Sequence, residues 1–558
     1  MADLALHYYA ESDENASHLA ALVYGRCLNP VVQSNAKYAN LLMKYAHQFP
    51  TEWSYHALDL WERASPIDCV DYMHVAHPCV EQYIMQSVRS GDVETLRFIV
   101  PQMIQALRNP DAVPMIAEML TYLGKVSTNS LMFVLWNLDG EKTPPPEAFN
   151  PAVKRSGWRP PEDSGLWEVT EGVLTSVMQS VSDDDKRAVS AFMGYYNALN
   201  DISDGMGDIP SAFWIETLRT KLRDIPPPPP DLAIPFDTDV LVDSIVVDKC
   251  ITLPSAAKIP ILVNFNTRQR EGTDGRDGRN ATGQGMGAQG EATSTTGCIF
   301  KVGDDCRQDV LALQVVSVLK RTFQQNGLEL FLHVYHVIPT GYEKGLIEVV
   351  ANTKSRSGLG ELSDGGLLQI FKQKFGPPGG SAFERARMNF IRSCAGYAVA
   401  SYILWAKDRH NGNILFDQDT GHMIHIDFGF ILGISPGGNL GFETAGFKLS
   451  HEYTQIIDPG GRRTSKEYLY FKKLCMVGFL AARRQANLIM SLVTHMAQSG
   501  LPCFGYGKPI AWLRERLMLD EEDDNACMEF EAKVEDAYCK TTTSIYDVVQ
   551  LLQNGIPV

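Results

Sequence analysis

Paired cysteines, positive charge and long apolar runs are all scarce in this 558-residue chain. Its eleven cysteines, an odd number with no C-x-x-C pair, are scattered from Cys27 to Cys539. That excludes a disulfide or zinc framework and reads as a reduced, cytoplasmic chain. Lys and Arg total 50 against 66 Asp and Glu, a formal net charge of −16. Nucleic acid needs a basic footprint, so no nucleic-acid partner is expected. Simple electrostatic attachment to an anionic bilayer is disfavoured on the same ground. No apolar run approaches the length of a membrane span, so any membrane contact is expected to be peripheral. The start, MADLALHYYAESDE, lacks a basic stretch followed by an apolar one, so no secretory signal is expected. A glycine-rich phosphate loop in its proper setting is missing too. Gly285-Met286-Gly287-Ala288-Gln289-Gly290 matches G-x-G-x-x-G, but it lies in glycine-dense polar sequence with no strand on either side. The motif needs flanking strands to hold its backbone against phosphate, so residues 267–297 read as a disordered low-complexity insertion.

What is present is an ordinary globular composition, 45% hydrophobic and 21% charged, long enough for two to four domains. The densest stretch is DRHNGNILFDQDTGHMIHIDFG, Asp408 to Gly429. Two short apolar runs, Asn413–Phe416 and His422–Ile426, flank the turn cluster Asp417-Gln418-Asp419-Thr420-Gly421, which predicts a hairpin. An antiparallel hairpin returns the chain to its origin, so Asp427 should arrive beside Asn413. One carboxylate and one amide oxygen at a loop mouth suit Mg²⁺, which takes few protein oxygens and shares the rest with phosphates. Asp408 and His410 are placed to handle the proton or charge of an attacking hydroxyl. DFG alone is a common tripeptide; D-R-H-x-x-N with a hairpin and then D-F-G points to phosphoryl transfer.

Upstream, residues 1–138 carry helical spacing, as in Ala57, Leu58, Leu60, Trp61 and Ala64, or Ile84, Val88, Leu96, Ile99, Met103, Ile104 and Leu107. Helices of this length stack as an α-solenoid, and generic helical packing explains them equally well. Residues 139–230 read as a Pro-rich connector, a helical segment from Leu166 to about Leu222, and the spacer Pro226–Pro230. Short β-rich runs follow at Val240–Ile251 and Ile259–Phe265. The turn between them, Pro254-Ser255-Ala256-Ala257-Lys258, offers a hydroxyl, backbone amides and a cation to phosphates, a weak signal alone. Cys298–Val302 reads as a strand carrying Lys301, then GDDCRQD and a helix to about Phe323. A strand lysine needs paired oxygens if it is buried, and otherwise points to water from an edge. Gly345–Val350 reads as another strand, and Ala382–Ala406 as a long core helix that delivers the catalytic loop.

The order Asp-Arg-His, with SPGGNLGFE (Ser435–Glu443) and SGLPCF (Ser499–Phe504), resembles the phosphatidylinositol 3- and 4-kinases, most of all the type III alpha 4-kinases. The resemblance runs strongly from Lys301 to Phe504 and weakly ahead of Pro226, where WSYHALDLWERAS and VPQMIQALR resemble the family's helical accessory domain. It implies an α+β fold: a helical accessory domain at 1–138, a connector at 139–230, a kinase N-lobe at 231–350 and a C-lobe at 351–558. It implies ATP as cosubstrate with Mg²⁺, Mn²⁺ being the alternative. Ser255, Lys258 and Lys301 would hold the phosphates, Asp309 would hold Lys301 with Tyr335 nearby, and the backbone at Glu348 and Val350 would meet adenine. Asn413 and Asp427 would bind the metal, and Asp408 and His410, with the proton undivided between them, would serve the substrate hydroxyl. Phe430 stands after DFG where the 3-kinases commonly have His, which fits the 4-kinases. The activity implied is transfer of the ATP γ-phosphate to the 4-hydroxyl of phosphatidylinositol, at the plasma membrane and with recruiting adaptor proteins. The alternatives are a protein kinase of the same superfamily and a silent scaffold. The family's type III alpha members are longer at the N-terminus, so the chain looks like the C-terminal portion of one or a shortened relative. Thr542–Gln553 reads as an apolar helix that packs on the C-lobe or lies on the bilayer.

Overall fold

The computed structural model describes Met43 and residues 63–75, 77–141, 165–253, 259–270, 294–360, 366–435 and 446–540. Ser255, Lys258, the Gly285–Gly290 motif, the apolar positions 57–61 and the expected helix after Thr541 lie outside them. The described residues form two compact units, one of residues up to 141 with 165–190, the other from residue 191 onward.

The first unit is helical: α1 (Pro78–Ser90), α2 (Val93–Ala106), α3 (Val113–Gly124), α4 (Thr128–Gly140), α5 (Gly165–Ser180) and the first turns of α6 (Asp183–Asp204). The helical spacing becomes packing: Ile84, Val88, Leu96, Ile99, Met103, Ile104 and Leu107 are all buried. Helix starts follow capping chemistry. Asp92 accepts from Thr95 N at 2.8 Å and Ser127 from Ser130 N at 3.1 Å, each satisfying an otherwise orphaned amide.

The second unit is the two-lobed kinase-like domain, and the helical residues ahead of the prolines belong to its N-lobe. From the end of α6, Tyr196 donates its hydroxyl to Ala233 O at 2.8 Å and Asn200 Nδ2 donates to Thr340 Oγ1 at 3.0 Å. Ser203 Oγ donates to Ile259 O at 3.0 Å. After α7 (Trp214–Arg223) come strands β1 (Ala233–Ile234), β2 (Asp237–Ile245), β3 (Ile251–Thr252), β4 (Ile261–Gln269) and β5 (Ser294–Val302). Contrary to the expected 267–297 insertion, its two ends are paired strand, Thr267 opposite Ser294. Helix α8 (Arg307–Gln325) precedes β6 (Val337–Gly341) and β7 (Lys344–Glu348). They make one antiparallel sheet in the order β1-β2-β4-β5-β7-β6, with β3 paired to β4. Period-two alternation sets its faces. Cys298, Phe300 and Val302 are buried on one face, so Lys301 projects from the other.

The C-lobe begins with β8 (Thr353–Ser355), α9 (Arg356–Gly360), α10 (Gly366–Phe375) and α11 (Ser381–Leu404), followed by the hairpin β9 (Ile414–Asp417) and β10 (Met423–His425). The hairpin is antiparallel, with His425 opposite Ile414 and Met423 opposite Phe416. Its turn is fixed by Asp417 Oδ1, which accepts from the amides of Asp419 (2.9 Å) and Thr420 (2.8 Å), and by Gly421 at φ +76°. Helices α12 (His451–Ile457), α13 (Lys466–Arg483), α14 (Ala486–His495), α15 (Pro509–Arg516) and α16 (Asp523–Ala537) complete the lobe, α13 lying on α11 and α16 on α13. Among the described residues, no helix is long and apolar enough to cross a membrane.

Candidate active site

The N-lobe contributes Lys301 and the first turn of α8. Lys301 Nζ pairs with Asp304 Oδ2 at 3.0 Å. Burial opposes its charge, but Asp427, Asp304 and Asp309 surround it and raise its pKa well above the ordinary value, so it stays an ammonium. The carboxylate expected to hold it, Asp309, acts on it through charge, while its Oδ1 accepts the Phe428 amide at 2.7 Å. Asp309 itself is raised to about 6, by burial and then by the neighbouring Asp427. Asp427 moves the opposite way: burial works against its charge, and Lys301 and Arg409 more than compensate. Three carboxylates therefore act on one lysine, and the two buried ones, Asp309 and Asp427, are shifted in opposite directions.

The hairpin brings the C-lobe groups together. Ile426 N donates to Asn413 O at 3.1 Å, so the next residue, Asp427, stands beside Asn413. Asn413 Nδ2 donates to Asp408 O at 2.9 Å, which leaves the amide oxygen as the group to face a cation. With the Asp427 carboxylate, this is a hard oxygen pair that fits Mg²⁺ or Mn²⁺ shared with phosphates. Among the described residues no group of three or more His, Cys, Asp and Glu could hold a metal ion. His410 Nε2 lies 3.9 Å from Asp408 Oδ2, and its Nδ1 accepts from Gly412 N at 3.0 Å. Burial lowers the His410 pKa despite Asp408, which keeps the ring neutral; with Nδ1 accepting from Gly412 N, the ring proton belongs to Nε2, on the side of Asp408.

Backbone geometry around these groups is irregular. Trp405, Asp408, Asp427 and Leu432 all have φ between 48° and 61°, a region that L-residues rarely occupy and that is held here by neighbours. Buried Arg409 is the main brace: Nε donates to Lys407 O (2.9 Å), Nη1 to Ile426 O (2.8 Å) and Nη2 to Asp427 O. Lys407 N–Phe430 O and Leu432 N–Leu404 O, each 2.8 Å, tie the segment after DFG to the end of α11. Tyr335, buried, accepts Asp427 N–H on its hydroxyl at 3.2 Å. At the other end, Glu348 N donates to His336 O (2.9 Å), and its carboxylate accepts from His336 N at 2.9 Å. Val350 O accepts from Thr353 Oγ1 at 2.8 Å.

Sequence reasoning passed over Asp304, Arg409, Gln308 and the anchoring of Lys448. Asp304 had a signal, lying three residues beyond Lys301 in GDDC. Arg409 sits inside the DRH triplet but reads there as one more charged loop residue. Lys448, the single cation between Asp427 and Glu452, is buried and donates to Asn411 Oδ1 at 3.1 Å. Only the folded chain reveals that.

The lysine on a strand, the paired carboxylates, the hairpin and the DFG turn define a two-lobed kinase of the phosphatidylinositol-kinase type. A family model described as "Phosphatidylinositol 3- and 4-kinase" matches residues 295–505. The chain is 41% identical over 505 residues to phosphatidylinositol 4-kinase alpha 1 of Arabidopsis thaliana, covering 89% of this chain and 23% of that protein. It is 42% identical over 438 residues to phosphatidylinositol 4-kinase alpha 2 of the same plant, covering 78% of this chain and 77% of the relative. Phosphatidylinositol 4-kinase STT4 of Saccharomyces cerevisiae is 33% identical over 525 residues, with 93% and 26% covered. The chain belongs to the phosphatidylinositol 4-kinase family, and it spans about a quarter of the length of alpha 1 and STT4.

Proposed function

We propose that this chain transfers the γ-phosphoryl group of ATP to the 4-hydroxyl of phosphatidylinositol. The observation that carries the reading is the convergence on one mouth of Lys301, held charged by three carboxylates, and the Asn413–Asp427 oxygen pair, with Asp408 and His410 alongside. Lys301 orients the ATP phosphates and draws charge toward the leaving group. Asn413 and Asp427 would hold Mg²⁺, with Mn²⁺ as the alternative, and the cation would neutralise phosphate charge there. Neutral His410 and Asp408 sit side by side to orient the inositol hydroxyl and take its proton. Ser255 and Lys258 are assigned to the phosphates, and Glu348 and Val350 to adenine, on the family's pattern.

The same reading makes phosphatidylinositol the preferred lipid. Each extra head-group phosphate wants charge-assisted donors, and the one cation of the activation loop, Lys448, is turned onto Asn411. We assign the working location to the cytoplasmic face of a membrane, the plasma membrane in the first instance, reached peripherally with adaptor proteins. The test compares kcat/KM on phosphatidylinositol and on its mono- and bisphosphates in vesicles of matched composition. Phosphatidylinositol should be strongly preferred. A bisphosphate turned over faster, or label entering protein instead of lipid, would overturn the reading.

A further inference from the structure

Gln308 belongs to the first turn of α8 and is buried. Its amide makes contacts on both sides. Nε2 donates to Gly429 O at 2.5 Å, with Phe428 O at 3.4 Å, and Oε1 accepts from Cys503 N at 2.9 Å. The adjacent residue, Asp309, accepts the Phe428 amide. One helical turn therefore grips the Phe428–Gly429 segment at two points, the Phe428 N–H through Asp309 and chiefly the Gly429 C=O through Gln308. The same side chain fastens the Leu501–Phe504 turn of the C-lobe to that grip.

We propose that Gln308 is a positioning residue that sets the Asp427 carboxylate and couples its placement to the 501–504 turn. The inference rests on the phosphotransferase reading for its kinetic consequence. Asp427 occupies a left-handed backbone conformation, φ 58°, which isolated chain would leave. The carbonyls just after it can hold that conformation only while a donor meets them, since a buried carbonyl without a partner drives its peptide to turn. Gln308 is that donor, and a side chain on α8 cannot shift without moving both the DFG turn and Cys503. Groups that orient a metal ligand this way affect metal affinity by about 10–100-fold.

Two variants separate the halves of the latch. Gln308→Leu removes donor and acceptor. Gln308→Glu keeps an acceptor for Cys503 N but sets a carboxylate against the Phe428 and Gly429 carbonyls. Hydrogen exchange on the full chain without nucleotide is expected to speed up at the Phe428 and Gly429 amides in both variants, and at Cys503 in Gln308→Leu alone. In turnover on phosphatidylinositol vesicles, both variants should lower kcat by about 10²-fold and raise half-saturating Mg²⁺ by about tenfold, with the lipid KM unchanged. Should Gln308→Leu fail to fold, the Gln308→Glu exchange pattern and Mg²⁺ titration decide. Wild-type exchange at Phe428 and Gly429 in Gln308→Glu, or a wild-type Mg²⁺ requirement, overturns the proposal. A wild-type chain inert toward phosphatidylinositol would instead count against the functional reading, while the exchange comparison still judges the latch.

Discussion

Lys301 sits in a regular strand, and Asp427 sits just past the end of one at φ 58°; the two halves of the site are built on different physics. In the N-lobe, sheet alternation alone aims the side chain, and the strand's other face is ordinary apolar core. In the C-lobe, four non-glycine residues adopt left-handed backbone angles between Trp405 and Leu432, and no repeating ladder holds them. Arg409 and Gln308, both buried, supply the missing hydrogen bonds. A strand can carry a catalytic cation with one ion pair. An irregular loop that must hold a carboxylate beside an amide oxygen needs a dedicated internal frame.

The comparison breaks most sharply at the reacting groups themselves. Asp427→Ala should lower kcat by about 10³-fold or more while leaving thermal unfolding close to wild type, because a loop carboxylate contributes little to apolar packing. Lys301→Met should lower kcat by about 10²-fold, also without unfolding the sheet. Near-wild-type turnover in either, measured at saturating ATP and lipid, would remove that residue from the mechanism.

Next in size is the frame. Arg409→Met leaves the carbonyls of Lys407, Ile426 and Asp427 without their donor, and should destabilise the chain by about 3 kcal/mol or more. Denaturant titration measures this. A variant as stable as wild type would mean the C-lobe loop holds itself, and the contrast with the strand would collapse.

Smallest is a pH effect at the base of the same lobe. Glu452 accepts Arg356 Nε and Nη2 at 2.7 and 2.6 Å and Leu367 N at 3.2 Å. Burial opposes its charge, but Arg356 outweighs it, so its carboxyl is held below the ordinary range. A carboxylate depressed in the folded state contributes fully above its unfolded pKa, about 4.3, and loses that contribution as pH falls through the folded value. The Tm gap between wild type and Glu452→Gln should therefore be constant from pH 8 to about pH 5 and close below about pH 4. A gap that persists unchanged into acid would show that Arg356 does not set it.

What was legible in the sequence follows the same division. Strand β5, helix α8, helix α11 and the β9–β10 hairpin were readable because apolar periodicity and turn residues encode them locally. The meeting of Asn413 and Asp427 was readable because an antiparallel hairpin returns the chain to its start. The direct pairing of Lys301 with Asp304, the three carbonyls on Arg409 and the two-sided bonding of Gln308 were not. The Lys301–Asp304 pair is local but depends on a side-chain rotamer, while Arg409 with Asp427 and Gln308 with Cys503 join positions 18 and 195 residues apart. Local pattern carries no record of such distances. The packing of the α6 end on the N-lobe sheet was hidden likewise: the prolines after it read as a boundary, yet Tyr196, Asn200 and Ser203 bond across them.

The most direct test of the account is the ring position of the transferred phosphate. The full chain is incubated with labelled ATP, Mg²⁺ and phosphatidylinositol vesicles, and the lipid product is deacylated and resolved by chromatography. The account predicts label on the 4-hydroxyl of inositol, absent when Asp427 is replaced by Ala. Label on the 3-hydroxyl, or product that persists with Asp427→Ala, would contradict it.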